Sequence, residues 1–252
     1  LADRCIRALR AHSKSVLGLV TAPPMKAVIL NDRREADRGL PTVSGAATRG
    51  HLYGGFAFRS YDLFVLVGLS EGGIVHEATH LMVHEAVSSP LARVPDWLNE
   101  GLATYFESRS QGPEPALARA ARDGNLMSLA AMNAVPGRPD AVRIFYAQSR
   151  SVVTYLIDTY GPERMTSLLR AMNGGSRIDA AVKDVYGVSL GELDARWRED
   201  VIGPTPLTRR PDVGTIATTV MIAGALATAF VVWIYRWLTH LSGPSAPEDR
   251  TP

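Results

Sequence analysis

Apolar and polar positions along the chain change period near residue 70. Before it, apolar residues come in short runs. Lys26–Leu30 (KAVIL) predicts a short buried strand, and residues 51–59 and 61–68, rich in aromatic and β-branched side chains, predict two more. Residues 31–49 between them are polar and rich in turn formers, which predicts a loop. From Gly72 onward apolar positions recur at helical spacing. Helices are predicted at 73–87, 96–109, 114–122, 143–159, 163–172, 177–186 and 190–201. Ser189 and Glu192 have capping-box spacing at the start of the last one. Gly161-Pro162, Gly174-Gly175 and Gly187 punctuate the others. Strands first and helices after predict an α+β domain over residues 26–203.

The flanks differ from this region. Residues 1–25 carry Arg4, Arg7, Arg10 and Lys14 and read as a polar N-terminal segment, truncated or processed since the chain starts at Leu1. Residues 204–212 are a proline-rich linker. Residues 213–235 contain no charged side chain. As a helix such a stretch is roughly 34 Å long, enough to cross a hydrocarbon core of about 30 Å. Trp233, Tyr235 and Trp237 gather at its end, as interfacial aromatics do. The expectation is one transmembrane helix over 213–237, in contact with lipid, followed by a disordered tail over 238–252. Arg209, Arg210 and Arg236 flank both ends, so the charges set no orientation.

Composition narrows the function. The formal net charge is +2 and no dense basic block occurs, which argues against nucleic acid. A single cysteine, Cys5, excludes a disulfide within the chain. No phosphate loop and no nucleophile elbow is present.

The chemistry concentrates in His76-Glu77-Ala78-Thr79-His80. On a helix, positions i and i+4 share a face, so two imidazoles can grip one metal ion. Glu77 stands beside that ion, placed to take a proton from metal-activated water. Zinc accepts such ligands, and three protein ligands leave a place for water. Downstream runs Pro95-Asp96-Trp97-Leu98-Asn99-Glu100-Gly101-Leu102-Ala103-Thr104-Tyr105-Phe106-Glu107. Glu100 is the candidate third ligand. Glu107, seven residues on and on the same face, is placed to fix the tautomer of a ligand imidazole.

HEATH followed by WLNEGLATYFE resembles the gluzincins, the thermolysin-like zinc peptidases with a glutamate third ligand. It is similar, more narrowly, to the peptidase MA-like families related to the aminopeptidase N group. The resemblance implies a zincin domain with one Zn²⁺ per chain on His76, His80 and Glu100, with Asn99 and Glu107 supporting the ligands. It implies a peptide or protein substrate. By the same likeness Tyr146, near the start of the 143–159 helix, would hydrogen-bond the oxyanion; packing against the core is the other reading. The aminopeptidases of this group carry a Gly-x-Met-Glu-Asn strand whose glutamate holds the substrate's amino terminus. Here the matching place reads Tyr53-Gly54-Gly55-Phe56-Ala57-Phe58, without that acid. The resemblance thus points away from an aminopeptidase and toward an endopeptidase, with Gly54, Gly55 and Phe56 along an extended substrate; the glycines could equally mark a bulge or bend. The likeness also favours an extracytoplasmic domain. The rival class is a catalytically silent zincin scaffold that binds a protein partner at the membrane.

Overall fold

The computed structural model describes residues 1–19, 23–39, 54–107 and 114–203. They belong to one compact unit, Leu1–Gly203. The chain begins with a helix, α1 (Ala2–Leu17), where no element is predicted. Its buried residues Cys5, Ile6, Leu9, Ser13, Val16 and Leu17 fall on one helical stripe, and the basic residues occupy the other face. β1 (Lys26–Leu30) and a short α2 (Arg33–Gly39) follow. The helix corrects the loop expected from residue 31 onward. Asp32 starts it by accepting the Arg34 and Glu35 N–H groups, both at 2.9 Å.

β2 (Gly55–Phe58) and β3 (Leu63–Val67) complete a mixed sheet of order β1-β3-β2. β1 runs parallel to β3 and β2 antiparallel to it, so β3 is the central strand. Phe64, Val65 and Leu66 of β3 are buried. β1 differs from its predicted burial: Val28 and Ile29 are 40% and 37% exposed. An apolar run encodes a strand, but whether it is covered depends on its neighbours, and among the described residues β1 has a partner strand on one side only.

The remainder is helical: α3 (Glu71–Ala86), α4 (Asp96–Glu107), α5 (Pro115–Arg122), α6 (Pro139–Tyr160), α7 (Pro162–Asn173), α8 (Ile178–Tyr186) and α9 (Leu190–Trp197), which runs into a π-turn at Arg198–Ile202. A small sheet followed by a mostly helical part is the α+β arrangement predicted. The Ser189 capping box on α9 is present, with Ser189 Oγ accepting the Glu192 N–H at 3.2 Å.

Three packings position the site. Ser70 caps α3 by accepting the Gly73 N–H at 3.1 Å, so the helix is already under way, by about one and a half turns, when it reaches His76. α1 packs along α3 and α7 from behind. α4 lies between α3 and α6, burying Trp97, Leu98 and Leu102 completely. Gly101 sets the α4–α6 distance. A Cβ there would sit 2.6 Å from Ser149 O and 2.6 Å from Val153 Cγ2. Only a residue without a side chain lets the two backbones close up so, directly beside Glu100.

Among the described residues no helix is long and apolar enough to cross a membrane. The span expected over 213–237, with its linker and tail, lies outside the described residues.

Candidate active site

One helical turn of α3 brings His76 and His80 together. Their rings meet edge to face with centroids 4.9 Å apart. α4 delivers Glu100 between them. Its Oε2 lies 3.3 Å from His76 Nε2 and 3.5 Å from His80 Nε2. The three ligand atoms fall within 4.8 Å of one another. Glu100 Oε2 is buried and makes no hydrogen bond of good geometry, although both imidazoles approach it. Three lone-pair donors thus converge on one point instead of satisfying each other.

That arrangement fits a divalent ion. Metal–ligand distances of about 2.0–2.1 Å at tetrahedral angles place ligand atoms about 3.3–3.4 Å apart. The observed 3.3 and 3.5 Å edges match. The donor chemistry, two nitrogens and one oxygen, suits zinc. The electrostatics agree. Burial alone would lower the His76 pKa, yet the carboxylates of Glu100 and Glu107, both facing its ring nitrogens, outweigh it and hold it at about 10 in the metal-free chain. In other words, the carboxylates draw a positive charge into the buried centre. Burial pushes Glu100 upward, but His80, His76 and the Tyr146 hydroxyl together hold it below its ordinary range. His80 is lowered, mainly by burial.

Supporting groups surround the ligands. Glu107 Oε2 lies 3.0 Å from His76 Nδ1. With Nδ1–H donating to that carboxylate, Nε2 is the nitrogen turned to the centre, and giving up its proton to a metal ion would leave its lone pair aimed there. Asn99 interacts with the His80 ring, whose Nδ1 lacks a well-formed hydrogen bond. We expect Glu107→Gln to weaken divalent-ion affinity about 10- to 100-fold while the chain folds normally. A competition titration against a chelator reads this directly; unchanged affinity would show that the contact does no more than fill space.

Glu77 points to the same cleft from the next position on α3. It is buried, and desolvation pushes its pKa up to about 7, with His76 opposing and Glu100 and Glu107 adding to the rise. Gly55 of β2 lies directly over it. A Cβ on Gly55 would be 2.6 Å from Glu77 Oε1 and 2.7 Å from Leu66 Cδ2. The β2–β3 register runs unbroken from Gly55↔Leu66 to Phe58↔Leu63, and Gly55 has no positive φ. Close approach, and not a bulge, accounts for this glycine. Gly54 has open space around its Cα, and Phe56 is half-buried.

Tyr146 enters from the second turn of α6. Its hydroxyl bonds Glu100, and its ring centroid is 6.2 Å from that of His76. Tyr155, nine residues further along the helix, is buried away from the cleft and donates to Asp200 at 2.7 Å. His84 lies one turn beyond His80, half-buried and off the ligand cluster. Two residues without a sequence signal also border the site. Arg59 follows β2 and reaches His80, His84 and Asp96 electrostatically. Asp96 opens α4 and accepts the Val135 N–H at 3.1 Å.

No curated protein matches this chain at a significant level. A family model does: the Peptidase MA superfamily model covers residues 51–203, more than half of the chain. That span contains β2, β3 and every helix that contributes to the cleft except α1, whose own role is to pack behind α3. With the family's paired histidines and glutamate converging as they do, the chain belongs to the Peptidase MA superfamily and is a metallopeptidase.

Proposed function

We propose that the protein is a zinc-dependent endopeptidase, held at a membrane by one helix over residues 213–237, with its catalytic unit on the extracytoplasmic side. The observation that carries the catalytic reading is the placement of Glu77, buried beside three converging ligands and beneath a sheet edge. His76, His80 and Glu100 hold one Zn²⁺ per chain. Bound there, zinc acts as a Lewis acid toward water and carbonyl oxygen.

The protein's own groups do the rest. Glu77 takes a proton from the attacking water and passes it to the leaving amine. Its burial beside the ligand cluster places one carboxyl within reach of both transfers. Tyr146, resting on Glu100, donates its hydroxyl hydrogen to the carbonyl oxygen as charge develops there. Glu107 and Asn99 hold the imidazoles in orientation. An extended substrate adds to the side of β2 turned away from β3, unpaired among the described residues, along Gly54, Gly55 and Phe56.

Endopeptidase action is supported by what β2 lacks. Gly54–Phe58 contains no acid to hold a free amino terminus. Digestion of an unstructured protein should therefore yield internal fragments from the earliest time points. Stepwise release of single N-terminal residues would refute the endopeptidase assignment. Membrane anchoring is supported by the uncharged stretch 213–235 and its terminal aromatics. The extracytoplasmic placement rests on family likeness, and protease shaving of intact cells tests it: domain peptides must be released.

A further inference from the structure

A cavity of about 750 Å³ opens from the metal centre, with His80 and Asn99 in its wall. It is bounded by the 3-10 turn after β2, the C-terminal half of α3, the 88–95 connection and the start of α8. Three arginines line it: Arg59, Arg93 and Arg177. All three are exposed, and none of their guanidinium groups makes a hydrogen bond or ion pair with a described residue. Among the described residues the single acid in the wall is Asp96, half-buried and engaged by the Val135 N–H. Asp62 and Glu85 act on His84 from outside the lining. The wall therefore carries an excess of two positive charges right beside the reacting centre.

The sheet edge leads into this cavity. Val67 N–H donates to Gly54 O at 2.8 Å, so the antiparallel alternation turns Gly54, Phe56 and Phe58 toward β3. Gly55 and Ala57 then turn their N–H and C=O groups to the free edge. A peptide strand pairing with Gly55 and Ala57 lies over Glu77 at one end and meets Arg59 at the other. At about 3.3 Å per residue, the path from Gly55 to Arg59 spans roughly 13 Å. A side chain a few residues from the scissile bond thus arrives among the arginines.

Resting on the zinc endopeptidase reading above, we propose that this cavity is a specificity site that selects substrates with acidic side chains close to the cleaved bond, with Arg59 as its principal specificity-determining residue. Arg59 stands where the edge strand delivers the substrate. Arg177 and Arg93 face the same space from α8 and the 88–95 connection. An unpaired guanidinium recognises a carboxylate by a forked, charge-assisted pair.

The test uses the zinc-loaded full chain in detergent and quenched peptides of one parent sequence. Asp, Asn or Lys is scanned through three positions on each side of the cleaved bond. At one position or more, kcat/KM for Asp should exceed that for Asn by about fivefold or more, the scale of one partly solvated ion pair. Arg59→Gln should erase the preference, and Arg59→Glu should turn it toward Lys. Thermal melts of both variants show that the fold is intact; if either is unfolded, Arg177→Gln replaces it. Equal rates for Asp, Asn and Lys at every position would overturn the proposal. If the wild type cleaves no peptide, the endopeptidase reading fails on its own. Binding of the same peptides to the Glu77→Gln chain, followed by fluorescence anisotropy, then decides. Tighter binding of the Asp peptide that depends on Arg59 upholds the site, and equal binding overturns it.

Discussion

Glu77→Gln is expected to abolish hydrolysis while leaving one zinc per chain. General acid–base catalysis contributes about 10²- to 10⁴-fold, and Glu77 is assigned both the proton acceptance and the proton delivery, so the loss should lie at the upper end. Gln keeps the shape and removes the basicity. Glu77 is not among the three converging ligands, so metal content should not change. Nor should the fold suffer. Burial raises the Glu77 pKa from 4.5 to about 7. A carboxyl raised in the folded state contributes stability below its unfolded value and loses it as pH rises toward and past the folded value. At pH 8 the metal-free wild type carries a buried charge that the Gln variant lacks. The variant should therefore melt at the same temperature or higher there. Metal analysis, peptide hydrolysis and a thermal melt, run side by side, make the comparison. Zinc in both chains with activity in neither would favour a scaffold that binds a partner. Zinc in neither would remove the basis for the catalytic assignment.

Glu100→Gln should act differently, by emptying the centre. Its Oε2 is the atom shared between two imidazole nitrogens, at 3.3 and 3.5 Å. An amide oxygen there is neutral and a weaker ligand, and the amide nitrogen cannot ligate at all. Zinc and activity should be lost together. Stability supplies an independent readout. Metal at 1,000 times its dissociation constant stabilises the folded state by about 4 kcal/mol. For a unit of this size that is a rise of roughly 8–16 °C in Tm. The chelated wild type should recover such a rise when zinc is added back, and Glu100→Gln should show little of it. A variant that keeps one tightly bound zinc, or the full thermal shift, would remove Glu100 from the ligand set. The contrast with Glu107→Gln is informative, since that change leaves all three ligands in place and should only loosen the ion.

What was legible in the sequence was what local geometry encodes. Helical periodicity alone puts His76 and His80 on one face, and Ser189 with Glu192 marks a helix start wherever the helix is packed. The carboxylate in WLNEGLA could be paired with that face because a third ligand is a chemical requirement. The uncharged run 213–235 is likewise a plain feature of the sequence, and the span expected from it lies outside the described residues.

Tertiary structure decided the rest, because those features depend on which surfaces meet. The stripe Cys5, Ile6, Leu9, Ser13, Val16 and Leu17 becomes a core face only when α3 and α7 lie against it; read alone, the arginines around it dominate. KAVIL forms a strand as predicted, but it is exposed, with one neighbouring strand among the described residues. Gly55, which the sequence leaves between a substrate strand and a bulge, and Gly101, to which it assigns no role, prove to be points of close approach, one over Glu77 and one against the Ser149 carbonyl. Arg59, Arg93 and Arg177 are scattered over more than a hundred residues and share one cavity beside His80. Spacing along a helix carries information about one face. Contacts between distant segments carry none until the chain has buried its apolar surface and fixed which backbones lie side by side.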